Sequence, residues 1–261
     1  MNRILLFCFF TLFACGSNSQ KATTVLVQTQ PEMINQDSIL IKTLAAEFDA
    51  VNTLVRDNRI DKALALKEFQ RILPQLQAAY NRLKPNTDKQ ERWIFPVAGY
   101  SSKAIGGTQG EGYIVGAYDY FDGNKYRGHP AHDIFIYDKN QDCKDDRTGE
   151  FVSVRAVTGG IVVALEKEWD STSLLRGGKY IWIYAPLNNA LFYYSHNREV
   201  LVNVGQIINA GDTVAIVGRT GLNAFKQRSP THLHFMKLTL DNEFYPKPTN
   251  TYQELLHAKT D

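Results

Sequence analysis

The apolar positions of this chain change their spacing along its length, and each change marks a segment. After Arg3 an unbroken apolar run, ILLFCFFTLFA, extends from Ile4 to Ala14. It is too short to span a bilayer and carries the flanks of a secretory signal. From Gly16 to Gln36 the text turns polar and reads as a flexible spacer. Between Ser38 and Lys84 apolar residues recur at steps of three and four: Ile41, Leu44, Phe48, Val51, Val55, then Leu66, Phe69, Leu73, Leu76, Tyr80, Leu83. That period predicts two antiparallel helices turning at Asp57-Asn58-Arg59. Pro74 is expected to kink or restart the second helix, because it lacks an amide hydrogen. Lys84-Pro85 closes the unit.

From Trp93 to about Phe244 the helical period gives way to short β-rich runs between glycine or asparagine turns, among them DIFIYD, YIWIYAP, ALFYYSH, DTVAIVG and HLHFMKLTL. This predicts a mainly β, antiparallel domain behind a helical hairpin. Near the end, Thr251 with Glu254 has the form of a capping box opening a short helix. The expected organisation is a signal at 1–14, a linker at 15–37, the hairpin at 38–85, the β-domain at 92–247 and a tail at 248–261.

Composition narrows the possible roles. The 261 residues are 44% apolar and 21% charged with a net charge of +2, and the charges of both signs are interspersed, so no nucleic-acid partner is indicated. Of three cysteines, Cys8 leaves with the signal and Cys15 follows the small Ala14 in the manner of a bacterial lipoprotein signal. We therefore expect lipidation at Cys15, export, and anchoring to a membrane, the outer membrane facing the periplasm. Only Cys143 then remains, so neither an internal disulfide nor a cysteine-rich metal site is available.

Histidine is where chemistry concentrates. In SPTHLHF, His232 and His234 stand at alternate positions of a predicted strand and so share a face. In RGHPAHDIFIYD, Pro130 disfavours a helix, and in extended chain His129 and Asp133 share a face across Ala131, with His132 directed the other way. Tyr194 and His196 repeat the alternation in LFYYSHN. Imidazole and carboxylate are ligands of hydrolytic zinc, and three protein ligands would leave two histidines for proton transfer. No His-Glu-x-x-His helix occurs, which removes the glutamate-base form of metalloprotease.

The His129-x-x-x-Asp133, Tyr194-Ser195-His196 and His232-Leu233-His234 elements, in that order, resemble the lysostaphin/LytM-type zinc metallopeptidases of peptidoglycan. VRAVTGGIVVAL resembles that family's glycine-turned strand, and VNVGQIINAGDTVAIVGRTG its long hairpin; the likeness spans about 92–240. The resemblance implies an open antiparallel sheet or sandwich with a groove, and one zinc per chain on His129, Asp133 and His234. It also implies His196 and His232 as unliganded catalytic histidines, and endopeptidase action on peptidoglycan cross-link or stem peptides. Some relatives instead bind and activate cell-wall amidases without hydrolysis. This chain departs from the pattern at Ala131, where glycine is usual, at Met236, where an acid is frequent, and in the acidic insert YDKNQDCKDDRTGE.

Other features have plainer readings. Asp138, Asn140, Asp142 and Asp146 approach a calcium-loop spacing, but Cys143 and Gly149 stand where glycine and glutamate are required, so a solvated acidic turn is expected. His132 reads as core-facing, His257 as a surface residue, and Cys143 as a free thiol. Most of Tyr118, Tyr120, Tyr126 and Tyr184 are expected in the core. The helical hairpin offers a plug over the site, a packing support or an arm for a protein partner.

Overall fold

A computed structural model describes residues 30–84 and 92–260 of the chain. The expected signal, the Cys15 lipidation site, the linker up to residue 29, and Pro85 lie outside the described residues. Among those described, no helix is long and apolar enough to cross a membrane.

Helices α1 (Gln30–Arg56) and α2 (Lys62–Leu83) form the hairpin. The first begins inside the stretch read as spacer; Pro31 falls in its opening turn, where the missing amide hydrogen is not needed. The turn carries Asn58 at φ 55°, and Asp61 caps α2 by accepting from the amides of Ala63 and Leu64. α2 does not restart at Pro74 but runs through it as one helix. Leu73 and Leu76 beside it are fully buried, and their packing outweighs one lost backbone hydrogen bond.

The remaining chain makes two antiparallel sheets. In the large one, β1 (His132–Phe135), β9 (His232–Leu240), β5 (Ala190–Asn197), β4 (Lys179–Ala185), β3 (Gly160–Glu166) and β7 (Ile207–Ile208) follow in that order, and β10 (Pro246–Thr249) pairs with the far half of β9. The small sheet is β2 (Ser153–Arg155), β8 (Thr213–Ile216) and β6 (Glu199–Val200). The segment read as one long hairpin is therefore divided: β7 joins the large sheet and β8 the small one, with Gly211 at φ 87° between them.

Alternation along the strands sends residues to two cores. Ile181, Ile183, Phe192, Tyr194, Leu233 and Phe235 pack toward the small sheet. Tyr180, Trp182, Tyr184, Leu191, Met236 and Leu238 face the other way and receive Phe48, Phe69 and Leu76 of the hairpin. The large sheet is thus the middle of three layers. The tail adds α3 (Tyr252–Leu256), whose Leu255 enters the inter-sheet core. The expected capping box does not form: Thr251 makes no side-chain cap, and Asn250 Oδ1 accepts the Tyr252 amide instead.

Candidate metal centre

β1 and β9 pair so that Asp133 stands opposite His234 and Phe135 opposite His232. Side chains of directly opposed residues share a face, so Asp133 and His234 meet, with Nδ1 2.9 Å from Oδ1. His129 lies just before β1 and is fixed by a two-way backbone bridge to Ile114. Its Nδ1–H donates to the Gly112 carbonyl at 2.8 Å, which aims Nε2 at Asp133 Oδ1, 3.2 Å away. The three ligand-type atoms lie within 4.8 Å of one another, and among the described residues this is the one such group of His, Cys, Asp or Glu side chains.

The histidine at 196 arrives by a different route. Strict alternation would put it on the face of Tyr194, whose hydroxyl oxygen accepts the Val157 amide in the inter-sheet core. Instead the β4–β5 register passes from Ile181↔Tyr194 to Lys179↔Asn197, which inserts one extra residue in β5. This bulge places His196 at φ 66°, in the left-handed region, and turns its ring into the site. The ring centroid stands 4.9 Å from that of His232 and 5.5 Å from that of His234. A left-handed non-glycine residue costs about 1–3 kcal/mol, so the surroundings must hold it. They do so through the Gly177 carbonyl, which accepts the His196 amide at 2.9 Å, and the Thr220 carbonyl, which accepts Nδ1–H at 2.8 Å.

Close approach requires glycine at 221. A Cβ there would meet the Arg176 carbonyl oxygen and lie 2.9 Å from His196 Nδ1, and φ is +113°. Gly221→Ala is expected to destabilise the fold by about 1–3 kcal/mol, read as a lower denaturant midpoint at unchanged slope.

The electrostatics divide the imidazoles. Burial opposes the charged form of Asp133, but hydrogen bonds to His129 and His234 outweigh it and hold the carboxyl well below its usual range. His129 is likewise opposed by burial and raised by Asp133. Burial, reinforced by His232 and His234, pushes His196 well below the histidine range, and burial lowers His234 despite Asp133. His196 and His234 are therefore neutral, the form that can ligate a metal or accept a proton.

The sequence-predicted residues His129, Asp133, His196, His232 and His234 thus line a single cavity of about 360 Å³. His132 is directed away, its ring between Tyr113 and Tyr252 and its Nε2 3.0 Å from Asn250 Oδ1. His257 is exposed. The acidic turn is solvated at Asn140, Asp142 and Asp146 as expected, but Asp138 is buried and its carboxylate accepts from the amides of Asp142 and Cys143 and from the Thr231 hydroxyl. Cys143 is a free, buried thiol. Tyr120 and Tyr184 are in the core, Tyr118 lines the cavity, and Tyr126 is 66% exposed at its mouth. The sequence reading did not single out Phe135, which alternation puts on the face of Asp133 and whose ring lies 5.3 Å from that of His232, or Arg176, which lines the cavity and carried no such signal.

Residues 145–246 match the model of peptidase family M23. The β-domain is similar to peptidase family M23 over that segment. The matched segment holds His196, His232 and His234; His129 and Asp133 precede it and reach the same cavity through β1 and its approach. Among solved structures, the chain is similar to the catalytic domain of lysostaphin from Staphylococcus simulans, at 21% identity over 49% of this chain and 80% of that one, with TM-score 0.35. A putative glycyl-glycine endopeptidase LytM from Ruminococcus gnavus matches at 20% identity over 90% and 92%, with TM-score 0.44. A zinc-containing peptidase from Vibrio cholerae matches at 17% over 66% of this chain and 41% of its own, with TM-score 0.38.

The donor set suits zinc. Two imidazole nitrogens and one carboxylate oxygen are three zinc ligands of the ordinary kinds. Asp133 Oδ1 lies 2.9 and 3.2 Å from the two imidazole nitrogens and all three donor atoms lie within 4.8 Å of one another, near enough that His129, Asp133 and His234 would share one ion. Gly112 fixes the tautomer of His129 as a supporting carbonyl does around metal-bound imidazoles.

Proposed function

We propose that the chain is a zinc metalloendopeptidase that hydrolyses peptide bonds in peptidoglycan cross-links or stem peptides. The observation that carries this reading is the joining, in one cavity, of a His129–Asp133–His234 donor set with two further imidazoles, His196 and His232. Zinc held by the first three would supply a Lewis acid that polarises a peptide carbonyl and lowers the pKa of water.

The remaining work falls to the two histidines. His196 donates Nδ1–H to Thr220 O, and His232 donates Nδ1–H to Pro230 O at 2.7 Å. In the neutral state each therefore offers Nε2 as an acceptor and has no second N–H to give. A proton taken at one Nε2 turns that ring into a donor, able to stabilise an oxyanion or to protonate the leaving nitrogen. His232 Nε2 lies 3.7 Å from Asp133 Oδ1, at the edge of the donor set, so we assign His232 as the proton carrier and His196 as its partner.

The test is to purify the full chain, measure bound zinc, and incubate it with peptidoglycan beside His232→Ala. The variant is expected to keep its zinc and lose about 10²–10⁴-fold in turnover, the range of a general acid–base group. Absence of zinc in the wild type, or equal fragment release by both proteins, would overturn the assignment. An amidase-stimulation assay then tests the alternative, a non-hydrolytic activator. We further assign the protein to the periplasmic side of a bacterial outer membrane, anchored through lipid on Cys15; the signal-like run ending at Ala14-Cys15 supports this.

A further inference from the structure

The cavity extends from the candidate metal centre to the end of α1, and its charged lining is unequal. Arg56, Lys125 and Arg176 contribute positive charge; Asp133 is the one acidic residue, and it belongs to the donor set. Arg56 is already neutralised, because Nη1 pairs with Glu166 at 2.9 Å and Nε with Asp57 at 2.8 Å. Among the described residues, neither Lys125 nor Arg176 forms an ion pair. Two uncompensated cations therefore face a cavity whose acid is committed elsewhere, and such a lining raises the local concentration of anions.

Arg176 is also held in place. Its guanidinium lies 4.8 Å from the centroid of the Tyr126 ring, a cation–π contact that limits its rotamers. Its amide donates to Asn124 Oδ1 at 2.9 Å, and Asn124 Nδ2 donates to the Leu174 carbonyl at 2.9 Å. The next residue, Gly177, accepts the His196 amide. The backbone that carries the guanidinium is thus continuous with the backbone that sets His196. A planar fork of donors held this way fits a carboxylate in two parallel hydrogen bonds, and pre-ordering reduces the entropy lost on binding.

We propose that Arg176, assisted by Lys125, is a specificity-determining residue that binds a free carboxylate of the substrate, so that the site takes acidic peptides in preference to neutral, all-glycine ones. This rests on the peptidase reading above and narrows its substrate class to peptides carrying carboxylate side chains or termini near the cleaved bond. The carboxylate is bound, and no bond to it is made or broken.

The experiment uses the full chain and a set of terminally blocked glycine–alanine hexapeptides in which one glutamate is moved through every position, each with its glutamine counterpart. Hydrolysis is followed as kcat/KM with zinc bound. Binding is followed separately on the chelated, zinc-free protein through the fluorescence of Trp182, which lines the cavity. In at least one register, wild type is expected to favour glutamate over glutamine by about tenfold, the value of one charge-assisted bond at a partly screened site. The preference should narrow as salt is raised.

Arg176→Gln is expected to bring that ratio close to one, Arg176→Lys to restore part of it, and Lys125→Gln to reduce it, all with zinc content unchanged. A merely structural role for Arg176 would lower both peptides alike and leave the ratio intact, which overturns the proposal. So does equal treatment of glutamate and glutamine by the wild type in every register. If neither peptide is cut but zinc-free protein still prefers glutamate through Arg176, the peptidase reading fails and the carboxylate site stands.

Discussion

His234→Ala is expected to lose its zinc while keeping its fold. His234 supplies one of three candidate ligands, and its Nδ1 makes the shorter of the two imidazole hydrogen bonds to Asp133. Losing a supporting group around a ligand already costs 10–100-fold in metal affinity, so losing the ligand itself should cost more than about 100-fold. Activity should fall with it to background. The backbone is secured independently, because Leu233 and Phe235 on either side are fully buried between the sheets. The loss of one hydrogen bond from the Asp133 carboxylate should cost about 1–3 kcal/mol. Elemental analysis of the purified variant beside wild type and His232→Ala gives the answer. Full zinc in His234→Ala, or loss of zinc in His232→Ala instead, would move the ligand assignment to another imidazole.

The same residues show how far the sequence alone reaches. Period two is strict along β1 and β9, so Asp133, His232 and His234 could be placed on one face from their spacing. His129 could be added because Pro130 keeps the chain extended. His196 shares the site for a reason that spacing conceals, since one extra residue in β5 and a left-handed backbone reverse the face that alternation assigns it. A bulge is a property of two strands in register, and the second strand is not written beside the first. The stripe of Ile41, Leu44, Phe48, Val51 and Val55 likewise announced a helix with a buried face, and all five are buried. It did not say what would cover them. The partner is the second face of the large sheet, assembled from residues scattered over β3, β4, β5 and β9. Arg176 carried no signal at all, because its position in the cavity follows from contacts with Tyr126, Asn124 and Gly177 that are set only in three dimensions.

The way the hairpin covers that face bears on the site. α1 ends at Arg56, and Asn52, Val55 and Arg56 line the cavity that also holds the imidazoles. Buried hydrogen bonds tie this wall to the rest: Tyr120 donates to Asn52 Oδ1 at 2.8 Å, and Asn52 Nδ2 donates to the Tyr180 hydroxyl at 3.0 Å. Tyr120 belongs to the segment that leads through Lys125 and Tyr126 to His129, so hairpin, sheet and rim are joined through polar groups that burial leaves little freedom to exchange partners.

Phe69→Ala should therefore be the most destabilising substitution in the hairpin. Phe69 is fully buried, stacks on Phe48 at 4.5 Å, and meets Tyr120 and Phe121 at 5.3 and 5.5 Å. Truncating a buried phenylalanine costs about 3–5 kcal/mol through lost transfer energy and the cavity left behind. In a chain of this size that lowers the melting temperature by roughly 10 °C, at about 2–4 °C per kcal/mol. Its ring touches none of the five site residues, so zinc content at 25 °C should equal that of the wild type, the opposite pairing to His234→Ala. Thermal unfolding followed by circular dichroism, with metal measured on the same sample, separates the two. A single transition shifted downward means that hairpin and sheets unfold together, as their shared core requires. A separate early transition, with the β-signal unmoved, would mean that the hairpin is a detachable layer and that its wall of the cavity can open without the sheet.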